Sequence, residues 1–177
     1  RNEAESRIEQ NRMGNLEIQV RDRNGQPVDG ALVSVRQKSH QFLFGTAING
    51  YSGLLDPNGN SVALTYQSEI KRLFNTVVIE NNLKWPDFLS NRQLGVDAAN
   101  WAFNQGLFLR GHNAIWPSRQ YMPAAIWAQY DSLASSDIGA ARDYLRSAIN
   151  ARIQDVATTF ATQAFEWDVV NEPFANN

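Results

Sequence analysis

Four stretches of the chain carry apolar residues with little of the alternation expected of a half-exposed strand. They are residues 42–47 (Phe-Leu-Phe-Gly-Thr-Ala), 76–79 (Thr-Val-Val-Ile), 107–112 (Leu-Phe-Leu-Arg-Gly-His) and 165–170 (Phe-Glu-Trp-Asp-Val-Val). Short runs of this kind suit strands buried on both faces of a parallel sheet. Helical spacing fills the intervals. Tyr66, Ile70, Leu73 and Phe74 follow Thr65, a candidate N-cap, and Ala98, Trp101, Ala102 and Gln105 precede Gly106, a candidate helix stop. Ile138, Ala141, Leu145, Ile149, Ile153, Val156 and Phe160 recur by threes and fours along one long helix. The order is strand–helix three times over and then a strand, which predicts an α/β protein with a parallel sheet. An open doubly wound sheet and a closed barrel both fit this order. No Gly-rich phosphate loop follows the first strand, which weighs against a nucleotide fold.

The first forty residues follow a different pattern. Residues 1–13 are polar and charged, a tail or short helix. Leu16, Ile18 and Val20 alternate with polar residues, Asn24-Gly25 marks a turn, and Ala31, Val33 and Val35 alternate again. Residues 14–38 are therefore expected to form a small β-hairpin packed on or capping the domain of residues 39–177.

Composition narrows the function by exclusion. The chain has 177 residues and a formal net charge of −2, without the basic surface that nucleic acid or an anionic membrane requires. No apolar run approaches the ~20 residues of a membrane span. Without cysteine, thiol nucleophiles, disulfide frameworks and thiolate zinc sites are ruled out, and no His/Asp/Glu cluster has metal-ligand spacing. No cofactor is implied. Five Trp, five Tyr and nine Phe leave aromatic rings for a core and for sugar platforms.

The polar residues that end the strands are harder to explain by packing. The second strand runs into Glu80, Asn81 and Lys84-Trp85, the third into Arg110 and His112 and then Trp116, and the fourth into Asn171-Glu172 before Pro173. Singly, each has a plain structural role: Glu80 and Lys84 as a weak local ion pair, Arg110 as the anchor of a barrel floor or of a neighbouring carboxylate, His112 as a satisfied structural histidine. In a parallel sheet, however, the carboxyl ends of the strands share one edge, the edge on which α/β barrels carry their chemistry. Acids, amides, one ammonium and flat aromatic rings gathered there suit a neutral polyhydroxylated ligand.

Residues 80–85 (Glu-Asn-Asn-Leu-Lys-Trp), 110–116 (Arg-Gly-His-Asn-Ala-Ile-Trp) and 167–172 (Trp-Asp-Val-Val-Asn-Glu) resemble, in order, three signatures of glycoside hydrolase family 10, and residues 42–45 resemble that family's first strand. The resemblance covers residues 40–177 and implies a (β/α)8 TIM barrel, of which this chain supplies the first four strands. It implies a secreted, retaining endo-β-1,4-xylanase acting on xylan or xylo-oligosaccharides, although no signal peptide is visible in the sequence. By position, Glu172 matches the general acid/base and Asn171 the amide that holds the sugar 2-hydroxyl. Glu80, Asn81 and Lys84 match residues that bind sugars on the non-reducing side, and His112 and Trp116 match residues lining the cleavage subsite. As an acid, Glu172 needs burial and a neighbouring carboxylate to raise its pKa.

Two departures qualify the resemblance. Pro117 stands where the family commonly has a second histidine, and nothing after Glu172 supplies the nucleophilic carboxylate that belongs near the seventh strand. A half barrel would leave strand edges and apolar interior uncovered. A second polypeptide carrying strands five to eight is therefore expected, with residues 174–177 opening the fourth βα loop. The alternatives are a non-catalytic half barrel that binds xylan oligosaccharides, and a related β-1,4-glucanase.

Overall fold

The computed structural model describes residues 2–38, 41–50 and 53–174. Residues 175–177 of the expected βα loop lie outside the described residues. The chain divides into two compact units, residues 1–40 and 41–177.

In the first unit, helix α1 (Asn2–Arg12) buries none of its residues; Glu3 and Glu5 in its first turn and Arg12 in its last complement the helix dipole. The expected hairpin is reduced to its turn. Gly25 N donates to Asp22 O at 3.0 Å, Val28 N donates to Val20 O at 2.9 Å, and Arg21 bridges Pro27. This register starts the return segment at residue 26 rather than 31, and the ladder goes no further. Leu16, Ile18, Val33 and Val35 remain exposed. A two-stranded hairpin is marginal in water, so pairing need not propagate beyond the turn.

The second unit is a four-stranded, all-parallel sheet. Its strands are β1 (Gly45–Ile48), β2 (Thr76–Ile79), β3 (Phe108–Ile115) and β4 (Ala164–Val170), in the spatial order β1-β2-β3-β4. Between them lie α2 (Ser61–Leu73), the short α3 (Trp85–Ser90), α4 (Arg92–Asn104), α5 (Ala124–Ala134) and the long α6 (Ile138–Thr159). A doubly wound sheet reverses its strand order part-way. This one never does, and its helices collect on one face. Val77 and Ile79 of β2 and Leu109 of β3 are buried in one cluster with Phe88 of α3, Ala98, Trp101 and Ala102 of α4, Val156 of α6 and Phe160 just past it. In-order parallel strands with helices on one side form the first half of a (β/α)8 barrel.

Several boundaries differ from those the pattern predicts. β1 starts at Gly45, because the Asn75 side chain claims the backbone of the preceding apolar run: Phe44 N donates to Asn75 Oδ1 at 2.8 Å and Asn75 Nδ2 donates to Phe42 O at 2.9 Å. Asn60, not Thr65, caps α2, accepting from Ala63 N at 3.1 Å, so that helix begins earlier. Gly106 ends α4 as expected, at φ +70°, where a side chain would be strained. Among the described residues, burial on both faces is found only at the end of β3, where Asn113, Ala114 and Ile115 are all buried. The face opposite the helices carries exposed Phe108, Arg110, Phe165 and Glu166, with the two Phe rings edge-on at 5.4 Å.

Candidate active site

Beyond β2 the chain makes a tight turn, with Lys84 N donating to Asn81 O at 2.8 Å, and enters α3 through Trp85-Pro86. Pro suits the first helical turn, where its missing N–H has no partner to lose. The turn folds the Lys84 side chain back, so that Nζ donates to Asn81 Oδ1 at 2.7 Å and lies 5.3 Å from the centre of the Trp116 ring. Among the described residues no ion pair joins Lys84 to Glu80. Glu80 is exposed, and its backbone N–H donates to Ile48 O at 2.9 Å, which fixes the ends of β1 and β2 together.

β3 brings Arg110 and His112 to the open face of the sheet, where they meet β4. Register sets Arg110 beside Glu166 and His112 beside Asp168. Arg110 Nε donates to Asp168 Oδ1 at 3.0 Å, Nη2 donates to the same oxygen, and Nη1 lies 3.7 Å from Glu166. His112 Nδ1 is 2.9 Å from Asp168 Oδ2. Burial pushes the Asp168 carboxyl up, but hydrogen bonds from Arg110 and His112, with their charges, outweigh it and hold the carboxyl below the usual carboxylate range. An ionised Asp168 accepts from the protonated Nδ1 of His112, which fixes the ring and leaves Nε2 for other partners. Gly111 between them is backed by the Trp167 ring, only 2.3 Å from where a Cβ would sit.

Trp116 follows directly after β3. Tyr121 stacks on it with centroids 3.9 Å apart and planes 22° apart, and His112 meets it edge-on at 6.3 Å. Tyr121 thus covers one face of the Trp116 ring. Just past β4, the N–H of Asn171 donates to Ile115 O at 2.8 Å and so extends the β3–β4 pairing. Glu172 follows in the left-handed region at φ +44° and is exposed. The burial expected around it as an acid is not supplied by these residues. No group of His, Cys, Asp or Glu able to hold a metal occurs among the described residues, and no helix there is long and apolar enough to cross a membrane. A cavity of about 710 Å3 lies between the loop after β1 and helices α2 and α4, lined by Gly50, Leu55, Leu64, Gln67, Ala98 and Trp101.

Comparison with known proteins decides what this edge belongs to. Residues 34–177 match the family described as Glycosyl hydrolase family 10. The chain belongs to glycosyl hydrolase family 10. It is 30% identical to the anti-sigma-I factor RsgI6 of Acetivibrio thermocellus, over 99% of this chain and 21% of that protein. It is 29% identical to endo-1,4-beta-xylanase A of Phanerodontia chrysosporium, over 70% of this chain and 29% of that protein. A thermostable mutant of a Cellvibrio japonicus xylanase superposes with a TM-score of 0.56 at 25% identity, over 75% of this chain and 35% of that one. A psychrophilic family 10 endo-beta-1,4-xylanase shares the fold at a TM-score of 0.59 and 20% identity, over 77% of this chain and 39% of that one. The chain thus spans between a fifth and two fifths of these relatives.

Within this part of a family 10 domain, the sequence-predicted residues do not all converge equally. Asn81, Lys84, Trp116 and His112 form one chain of contacts, and Asn171 is tied to the same strand by its backbone. Glu80 and Glu172 stand at the ends of β2 and β4 as exposed carboxylates. Sequence reasoning passed over Asp168, Tyr121 and Arg152. Asp168 has no local signal, since its partners come from a strand 56 and 58 residues away. Tyr121 lies in an irregular loop without period. Arg152 did leave a signal, because it falls on the apolar face of α6, three residues after Ile149 and four before Val156.

Proposed function

We propose that this chain is the acid/base half of a retaining endo-β-1,4-xylanase, secreted to reach its polymeric substrate. The observation that carries the reading is the arrangement of Asn81-Lys84, His112-Trp116 and Asn171-Glu172 in order along the carboxyl edge of an in-order parallel sheet. In this reading Glu80, Asn81 and Lys84 hold xylose units on the non-reducing side, His112 and Trp116 wall the cleavage subsite, and Asn171 holds the 2-hydroxyl. Glu172 protonates the leaving oxygen while a second carboxylate attacks the anomeric carbon; Glu172 then takes a proton from the water that releases the sugar. That second carboxylate comes from the complementary half of the barrel, on the same polypeptide or another, which also covers the open face and buries Glu172.

The test is Glu172→Gln in the full-length protein. Xylan hydrolysis should fall by at least about a hundredfold, the usual scale for a lost acid/base group. Unchanged turnover would remove Glu172 from the mechanism. A second reading, oligosaccharide binding without turnover, gains weight from the match of nearly the whole chain to a protein named as an anti-sigma-I factor rather than as an enzyme. It predicts xylo-oligosaccharide binding by the unsubstituted protein with no release of reducing ends.

A further inference from the structure

Outside the proposed sugar site, one buried side chain bonds to both of the segments that lead into it. Arg152, near the middle of α6, is 3% exposed, and no carboxylate among the described residues bonds to it. Asp155, whose charge reaches it, is taken by Arg92 through two hydrogen bonds of 2.9 and 2.7 Å. Arg152 instead turns two of its three nitrogens to main-chain carbonyls, while Nη1 is buried with no hydrogen-bond partner among the described residues. Nε donates to Ala114 O at 3.2 Å, and Nη2 donates to Leu83 O and, at 3.3 Å, to Asn113 O. The guanidinium rests over Phe88 at 5.0 Å and near Trp85 at 6.0 Å. Burial lowers its pKa to about 10, so it stays charged near neutral pH.

A desolvated cation with only carbonyl partners is a poor source of stability, and an apolar side chain would fill the same space at less cost. What it gains is a connection that the sheet does not make. The β2–β3 ladder ends at Val78↔Arg110. Past that point the two segments diverge, one to Leu83 and Lys84, the other to Asn113, Ala114 and Trp116. The planar fork of Arg152 is the group that meets carbonyls from both.

The geometry points to Arg152 as a positioning residue, which clamps the segment carrying Asn81 and Lys84 to the segment carrying His112 and Trp116. It never touches the ligand. The inference rests on the proposed function for what those residues bind, and on the hydrogen bonds alone for the clamp.

Arg152→Met and Arg152→Lys in the full-length protein separate the two. Lysine keeps the charge but lacks the fork. Well below the melting temperature of each variant, amide hydrogen exchange should accelerate by at least about tenfold in residues 81–85 and 112–116, with β1 and the first half of β4 unchanged. On xylan, kcat/KM should fall by about tenfold or more. In a Lys84→Met background the same Arg152 substitution should have a clearly smaller effect, because the clamp acts through Lys84. Exchange that rises evenly over the whole domain, fully multiplicative effects with Lys84→Met, or failure of both variants to fold would reduce Arg152 to a plain stabiliser and overturn the inference. If the unsubstituted protein does not hydrolyse xylan but the exchange pattern is local, the clamp stands and the xylanase reading fails. If the protein hydrolyses xylan and the folded variants match it in both measurements, the reading stands and the clamp fails.

Discussion

Replacing Gly111 with alanine tests the packing that holds the site from behind. Gly111 lies between Arg110 and His112, and Trp167 is its register partner on β4. An added Cβ would lie 2.3, 2.4 and 2.5 Å from three ring carbons of Trp167. Carbon atoms pack at about 3.5–4.0 Å, so ring and strand must part by more than about 1 Å. The ring has little room to retreat, since it packs against the core and lies 5.9 Å from the buried Phe160 ring. Overpacking a core costs about 1–3 kcal/mol, and an overlap this large belongs at the upper end, about 3 kcal/mol. For a domain of the size implied here, that lowers the melting temperature by about 6–12 °C. The assay is thermal unfolding of the full-length protein by circular dichroism, for Gly111→Ala, Trp167→Leu and the pair. The smaller leucine makes room for the methyl group, so the pair should lose less than the sum of the single losses by at least about 1 kcal/mol. A Gly111→Ala protein that melts within about 2 °C of the parent would refute the reasoning.

Other consequences can be checked alongside. Asp168→Asn should cost about 1 kcal/mol near neutral pH, a figure kept low because Arg110 is half-exposed and its pairing is screened. Because folding lowers the Asp168 pKa, its stabilisation is present above the unfolded value of about 3.9 and is lost as pH falls through the folded value. Parent and variant should therefore differ most at neutral pH and converge in acid, as urea titrations at several pH values would show. Asn60→Ala removes the cap of α2 and should cost about 1 kcal/mol in the same titrations; no loss would mean that another group serves the Ala63 N–H. Comparing rates on xylan and carboxymethylcellulose separates the xylanase from a β-1,4-glucanase: a rate on cellulose equal to that on xylan would overturn the substrate assignment.

What the sequence determined by itself is what local chemistry can determine. Apolar runs marked β2, β3 and β4 to within a few residues, Gly106 marked the end of α4, and Asn24-Gly25 marked a turn. The strand-end residues were legible because a parallel sheet puts every carboxyl end on one edge whatever its register. For Arg110 the sequence left two anchors open, a barrel floor and a neighbouring carboxylate, and the folded chain supplies the carboxylate. The identity of that carboxylate was not legible. Arg110 meets Asp168 only after a register shift between Leu109 and Arg110 in the β3–β4 pairing, and a shift of one residue moves every later side chain to the other face. Residues 14–38 likewise pair only around their turn, since alternation states which residues a strand would bury but does not by itself make a ladder. The choice between barrel and doubly wound sheet came from the family resemblance and is borne out by strand order, which no periodicity encodes. Arg152 is the plainest case. A cation on an apolar helix face is an anomaly in one dimension; only the folded chain brings the carbonyls of Leu83, Asn113 and Ala114 to it from segments 38 to 69 residues away.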